Sequence, residues 1–180
     1  VKDNIKNTIY FSFAVQLVTS LISSNGLIVD LSERDEILKD ILKMELLVQF
    51  VESSFYMWVI LALKDYKILT QRRYIDWVIT TPTMLISTII FMKYIEYKEN
   101  DKEILTFKQT ILEEKDNLIK IVIYNFLMLM FGFLGETGRL NKKLAISMGF
   151  VFFYLSFATI YEYAKKTQKG LDLFYFLTLV

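Results

Sequence analysis

The chain has 180 residues, 21 Lys+Arg against 20 Asp+Glu, 54% hydrophobic residues, one proline, and neither cysteine nor histidine. That composition leaves no disulfide, no zinc finger, and no Ser-His-Asp or Cys-His nucleophile. A net charge of +1 argues against nucleic acid as a partner, and an apolar share above the about 45–50% usual for soluble domains points to a non-enzymatic membrane protein.

The chain starts Val1-Lys2-Asp3-Asn4-Ile5-Lys6 and runs into a long apolar stretch with no small-residue cleavage site, so this start is not expected to be a signal peptide. Val1 is not an initiator methionine, and at least one N-terminal residue is expected to be missing. A bilayer-spanning helix needs about 20 mostly apolar residues. Five runs qualify: Thr8 to Val29, Leu42 to Leu63, Tyr74 to Met92, Leu118 to Leu134 and Leu144 to Tyr163. A sixth begins at Leu171 after the polar stretch Lys165-Lys166-Thr167-Gln168-Lys169-Gly170 and reaches only to Val180. The expected fold is therefore an all-α integral membrane bundle with five complete spans and the start of a sixth. Residues 1–180 form one transmembrane domain, expected to be incomplete at its C-terminus and to sit in a lipid bilayer. A soluble helical protein is the competing reading, but core helices rarely run so long with so few charges. Slightly more Lys and Arg fall on the inner side if the N-terminus is extracellular, and that orientation is the expectation. The charged connector from Lys93 to Asn117 is expected to extend its flanking helices into solvent, because Ile104, Phe107, Ile111 and Leu112 recur at helical spacing.

Ionisable groups within a span are costly and mark candidate functional sites. In the third span, Arg73, Asp76, Trp77, Thr80, Met84 and Ser87 fall on one helix face about 100° wide. Asp76 and Ser87 lie roughly 16 Å apart along its axis. That face suits a buried proton path or a cationic ligand. Asp76 needs a positive partner to stay ionised there, and Arg73, one turn away, or a bound cation can supply it. A structural ion pair on a packing face is the alternative. Pro82 is tolerated if Thr81, Thr83 or water satisfies the freed carbonyl. In the second span, Glu45, Gln49, Glu52 and Tyr56 form a stripe at i, i+4, i+7 and i+11. The stripe reads as a hydrated pathway, an oligomer contact or interhelical hydrogen bonding. Glu45 reads best as an interfacial group and Glu52 as a functional one. Gln16 of the first span can face the same cavity or make a packing hydrogen bond. In the fourth span Met128 and Gly132 share a face, where glycine lets a bulky neighbour approach the backbone or two helices pack closely.

These residues resemble a family. Arg73-Tyr74-Ile75-Asp76-Trp77 followed by Thr80-Thr81-Pro82 is similar to the third-helix signature of microbial (type 1) rhodopsins. Phe131-Gly132-Phe133-Leu134-Gly135-Glu136-Thr137-Gly138 resembles the fourth-helix end of proteorhodopsins, and Ile160-Tyr161-Glu162 the end of their fifth helix. The lean, histidine-free sequence looks most like the viral branch. The resemblance implies a seven-helix bundle around all-trans retinal. It also implies a Schiff-base lysine and a second counter-ion on a seventh helix absent from this sequence. By the same resemblance Asp76 is the Schiff-base counter-ion and primary proton acceptor, and Arg73 the gate for outward release. Thr80 hydrogen-bonds the acceptor aspartate, and Trp77, Thr81, Met84, Met128 and Gly132 wall the polyene. Ser87 stands where pumps place a carboxylic donor, and a hydroxyl is not a useful acid near neutral pH. Met57 stands where proteorhodopsins pair a histidine with the acceptor, and Trp58 where a tyrosine often lines the site. Met84 implies a green absorber.

The resemblance thus implies a light-driven outward proton pump. A light-gated cation channel built on the Glu45/Gln49/Glu52 stripe and a sensory photoreceptor are the alternatives. Protons or small cations are the expected cargo, and a homo-oligomer the expected assembly.

Overall fold

The computed structural model describes residues 2–61, 69–103 and 106–179. The expectations attached to Val1, Leu63, Ile104 and Val180 lie outside them. Seven α-helices run in chain order among the described residues. They are α1 (Lys2–Ser24), α2 (Ile37–Leu61), α3 (Leu69–Glu99), α4 (Phe107–Glu113), α5 (Lys115–Glu136), α6 (Lys142–Ala164) and α7 (Gln168–Leu179). Helices α2, α3, α5 and α6 are long and apolar enough to cross a membrane. α1 is long but more polar, with Gln16 and several serines and threonines along it, and does not reach that standard over its described length. α4 is a single short helix in the charged connector, and α7 opens the sixth run.

Local chemistry sets the helix ends. Thr106 and Gln109 form a reciprocal capping box at the start of α4. Asn141 accepts the Lys143 amide at 3.0 Å to start α6. α5 ends where Gly138 takes a φ of 74°, a left-handed conformation that suits glycine. The Arg139 and Leu140 amides then close onto the Leu134 carbonyl at 2.9 and 3.0 Å. Pro82 removes one backbone bond within α3. The flanking hydroxyls of Thr81 and Thr83 donate to the carbonyls of Trp77 and Ile79 at 2.7 and 2.8 Å rather than to the Val78 carbonyl that Pro82 frees, and the helix continues unbroken.

Large apolar side chains such as Phe11, Leu21, Phe50, Ile75, Phe150 and Tyr154 point outward. In water that surface would be unstable; against acyl chains it needs no cover, because backbone polar groups are satisfied within each helix. The chain is an integral multi-pass membrane protein. Its dry core is gathered at one end. Ile89, Met92, Leu118, Ile121 and Ile160 form one buried cluster, while Ile37, Ile41, Ile90 and Tyr94 form a second. Ile86 and Ile111 pack against both. Both clusters lie along the C-terminal half of α3, which we call the Lys93 end. The opposite, Arg73 end is more open.

Candidate functional site

The site is built around the N-terminal half of α3, facing α5 and α6 on one side and α2 on the other. On the first side, Tyr74, Trp77, Met128, Gly132, Glu136 and Phe153 are among the residues lining a cavity of about 590 Å³. Tyr74 packs edge-on to Trp77 and Phe133, with ring centroids 5.3 and 5.2 Å apart. A Cβ on Gly132 would sit 2.8 Å from the Tyr74 hydroxyl, so glycine is what lets this ring lie across the α5 backbone. Three of the five expected wall residues, Trp77, Met128 and Gly132, therefore meet in one largely apolar cavity. The other two do not line it. Thr81 instead bridges helices, accepting the Asn125 amide at 2.8 Å, and Met84 points outward, 44% exposed.

Asp76 is buried, and its Oδ1 has no hydrogen-bond partner among the described residues. A buried carboxylate oxygen without a donor is costly and marks a place where a donor or cation belongs. Arg73 was one expected partner. In the structure its guanidinium instead bonds Glu136 at 2.5 Å and lies over the Trp77 ring, 5.2 Å from the centroid. Arg73 and Asp76 are one turn apart, but the long Arg side chain reaches across to the end of α5. Glu136 is the participant that sequence reasoning left without a role. It stood in the quoted fourth-helix motif, but nothing in its spacing told that it would meet α3. Thr80 is buried beside Asp76, and its hydroxyl donates to the Asp76 main-chain carbonyl at 3.1 Å rather than to the carboxylate.

On the α2 side the polar stripe separates into distinct contacts. Glu52 accepts the Gln16 amide at 2.6 Å, joining α1 to α2. Gln49 reaches Ser23 at 3.4 Å, and its Oε1 is left without a partner, as is the Ser53 hydroxyl. Ser87, buried on α3, donates to the Glu45 carboxylate and also bonds the Met84 carbonyl at 2.9 Å. Glu45 is thus placed against the position that lacks a carboxyl group of its own. Trp58 is exposed and lies under the Arg72 guanidinium, 4.2 Å from its ring centroid, and Met57 is exposed as well.

Residues 7–179 match the family described as bacteriorhodopsin-like protein. The chain belongs to that family, the microbial rhodopsins. It is also similar in structure to the viral rhodopsin OLPVRII, at a TM-score of 0.77 and 25% identity, over 95% of this chain and 76% of that one. No curated protein matches it. Microbial rhodopsins carry retinal, and two features of this chain fit such a group: the apolar cavity beside Trp77 and Gly132, and the buried Asp76 oxygen that lacks a donor. The viral resemblance and the all-α membrane bundle read from the sequence agree with these matches.

Proposed function

We propose that this rhodopsin is a light-driven outward proton pump in which Asp76 is the counter-ion and primary proton acceptor. The observation that carries the reading is the buried, donorless Asp76 Oδ1 next to the aromatic cavity. When bound, retinal would supply a protonated nitrogen whose proton affinity falls on illumination. Trp77, Met128, Gly132 and Tyr74 would hold it in their apolar cavity. Before light the Asp76 carboxylate offsets the neighbouring positive charge; afterwards it takes the proton, since a buried carboxylate that has lost its counter-charge favours the neutral form. Arg73 then feels one negative charge fewer on the Asp76 side and the undiminished charge of Glu136 on the other. Arg73, already paired with Glu136, is then held there by the stronger remaining charge, which favours release at that end. Glu45 supports reprotonation from the other direction. Ser87 cannot act as an acid near neutral pH, but its hydroxyl donates to the Glu45 carboxylate on α2, which stands in the donor's place. All-trans retinal, the N-terminus outside, the homo-oligomer and the roles of Asp76, Arg73, Thr80, Ser87 and Glu52 belong to this proposal.

A second reading, a light-gated cation channel, is favoured by one observation. The unpartnered Gln49 and Ser53 oxygens sit next to Glu52 on α2, as in a wet seam. Photocurrents under voltage clamp, in cells expressing the full-length protein and supplied with all-trans retinal, separate the two. A pump gives outward current at zero voltage in symmetric solutions, and it persists at negative potentials. A current that reverses with the cation gradient rejects the pump and selects the channel.

A further inference from the structure

Asp76, Arg73, Glu45 and the cavity leave one group of buried charges without a role. Lys93, on α3, is buried and bonds Glu114 at 2.7 Å, with Glu113 at 3.4 Å and Glu96 at 3.9 Å. Glu114 lies at the junction of α4 and α5, also buried, and accepts the Tyr163 hydroxyl from the end of α6. Asn117 donates to Tyr163 at 2.7 Å and to Glu114 at 3.2 Å. In the turn between α6 and α7, Lys166 returns to Glu96 on α3 at 3.0 Å. One buried cluster thus ties α3, α5 and α6 together, and a second bond draws the α7 turn onto the same helix.

What lies beneath the cluster gives it a function. Ser87 and Lys93 are six residues apart, about 9 Å along α3. The helix turns between them carry Ile89, Ile90 and Met92, each no more than 1% exposed; Ile89 and Met92 pack with Ile121 and Ile160 from α5 and α6, and Ile90 packs with Ile37 and Ile41 from α2. Glu45 and Ser87 are therefore cut off from the Lys93 end by a dry apolar plug, across which no proton moves without water. For water to enter beside Ile89 and Met92, α6 must separate from α3, and the cluster is what spans that seam. Buried charges are a poor way to stabilise a bundle, since apolar side chains would often serve as well. They do make a two-position contact, which is closed when paired and opens only if the partners rehydrate together.

We infer that Lys93, Glu114 and Tyr163, with Lys166 and Glu96, form a charge latch that holds the plug shut and sets how fast the interior at Glu45 is reached from the Lys93 end. These are positioning residues, acting through the plug. The inference rests on the pump reading only for the identity of what crosses.

Residues 1–180 hold no cysteine, so a single cysteine at Met92, with any cysteine outside them replaced by serine, reports the plug directly. The test is its labelling rate with a water-soluble maleimide in the full-length, retinal-loaded protein, with Arg139→Cys at the other end as control. Cutting one bond of the cluster, the buried Tyr163 bond by Tyr163→Phe or separately the half-exposed Lys166 bond by Lys166→Gln, should raise dark labelling at position 92 about fivefold and leave position 139 unchanged. Unchanged labelling at 92 in both variants overturns the latch, and so does an equal rise at both positions, which means general loosening. With the latch intact, illumination should also raise labelling at 92; equal rates in light and dark overturn its part in the light response. If dark labelling rises as expected while the photocurrent test finds no pump, the pump reading fails and the latch stands.

Discussion

The two ends of α3 solve opposite problems with similar residues. At the Lys93 end the charges are paired: Lys93 and Glu114 are buried together, the buried Glu96 takes the more exposed Lys166, and nearer solvent Asp35 bonds both Lys98 at 2.8 Å and Tyr94 at 2.6 Å. At the Arg73 end, one ion pair is half exposed, a cavity opens beside it, and Asp76 keeps an oxygen with no donor. Burial alone does not distinguish a structural charge from a functional one. What distinguishes them is whether the protein supplies the partner. Where it does, the charge holds helices together; where it withholds the partner next to a cavity, the charge is available to a ligand.

The largest effect should come from the unpaired side. Asp76→Asn should abolish light-driven current and red-shift the visible absorption, because it removes the negative charge beside the chromophore. Full current with an unshifted spectrum would break the comparison at its centre. Next comes the paired side. Lys93→Met strands the Glu114 carboxylate and should cost about 3–5 kcal/mol, read as a lower thermal midpoint with little spectral shift in the protein that remains folded. A spectral change as large as that of Asp76→Asn would mean that the two ends are not separate.

The paired end should also weaken in acid. Burial pushes the Glu114 carboxyl up, but the Lys93 ammonium, the Tyr163 hydroxyl and the Asn117 amide outweigh it and hold it below the ordinary glutamate value. A carboxylate depressed on folding contributes stability above its unfolded value, about 4.3, and loses it as pH falls through the lower folded one. Glu96 and Tyr97 on α3, Glu113 on α4 and Lys166 after α6 surround the same cluster. The thermal midpoint should therefore hold down to mildly acidic pH and fall below about 4.3, and Glu114→Gln should flatten that fall. An acid limb as steep in Glu114→Gln would assign the loss to another group.

Gly132→Ala should shift the absorption maximum and cost about 1–3 kcal/mol, since its Cβ meets a Tyr74 ring held by Trp77 and Phe133. The smallest effect is expected at Arg34, whose pair with Asp101 at 2.8 Å lies in solvent. Arg34→Ala should change stability by no more than about 1 kcal/mol, and a larger loss would show that the exposed rim shares the latch's work.

Much of the site was legible because it lies on one helix. Arg73, Asp76, Trp77, Thr80 and Ser87 share a face by the 3.6-residue period alone. Partners across helices were not legible. Arg73 stood one turn from Asp76 yet bonds Glu136, and Thr80 turns its hydroxyl to the main chain. Met84 shares the face by angle, but it is 44% exposed among the described residues, so it lies outward.

The sequence by itself determined the spans of α2, α3, α5 and α6, the membrane setting and the polar face of α3, because apolar run length and helical period depend only on residues near one another in the chain. It also carried the motifs by which the family is recognised. Only the tertiary structure decided which charges are answered. Lys93 and Glu114 are 21 positions apart, Glu114 and Tyr163 49, and Arg73 and Glu136 63. Whether such groups meet depends on how helices cross and how far each side chain reaches. The same physics that leaves Asp76 waiting for a donor gives Lys93 three carboxylates within 4 Å.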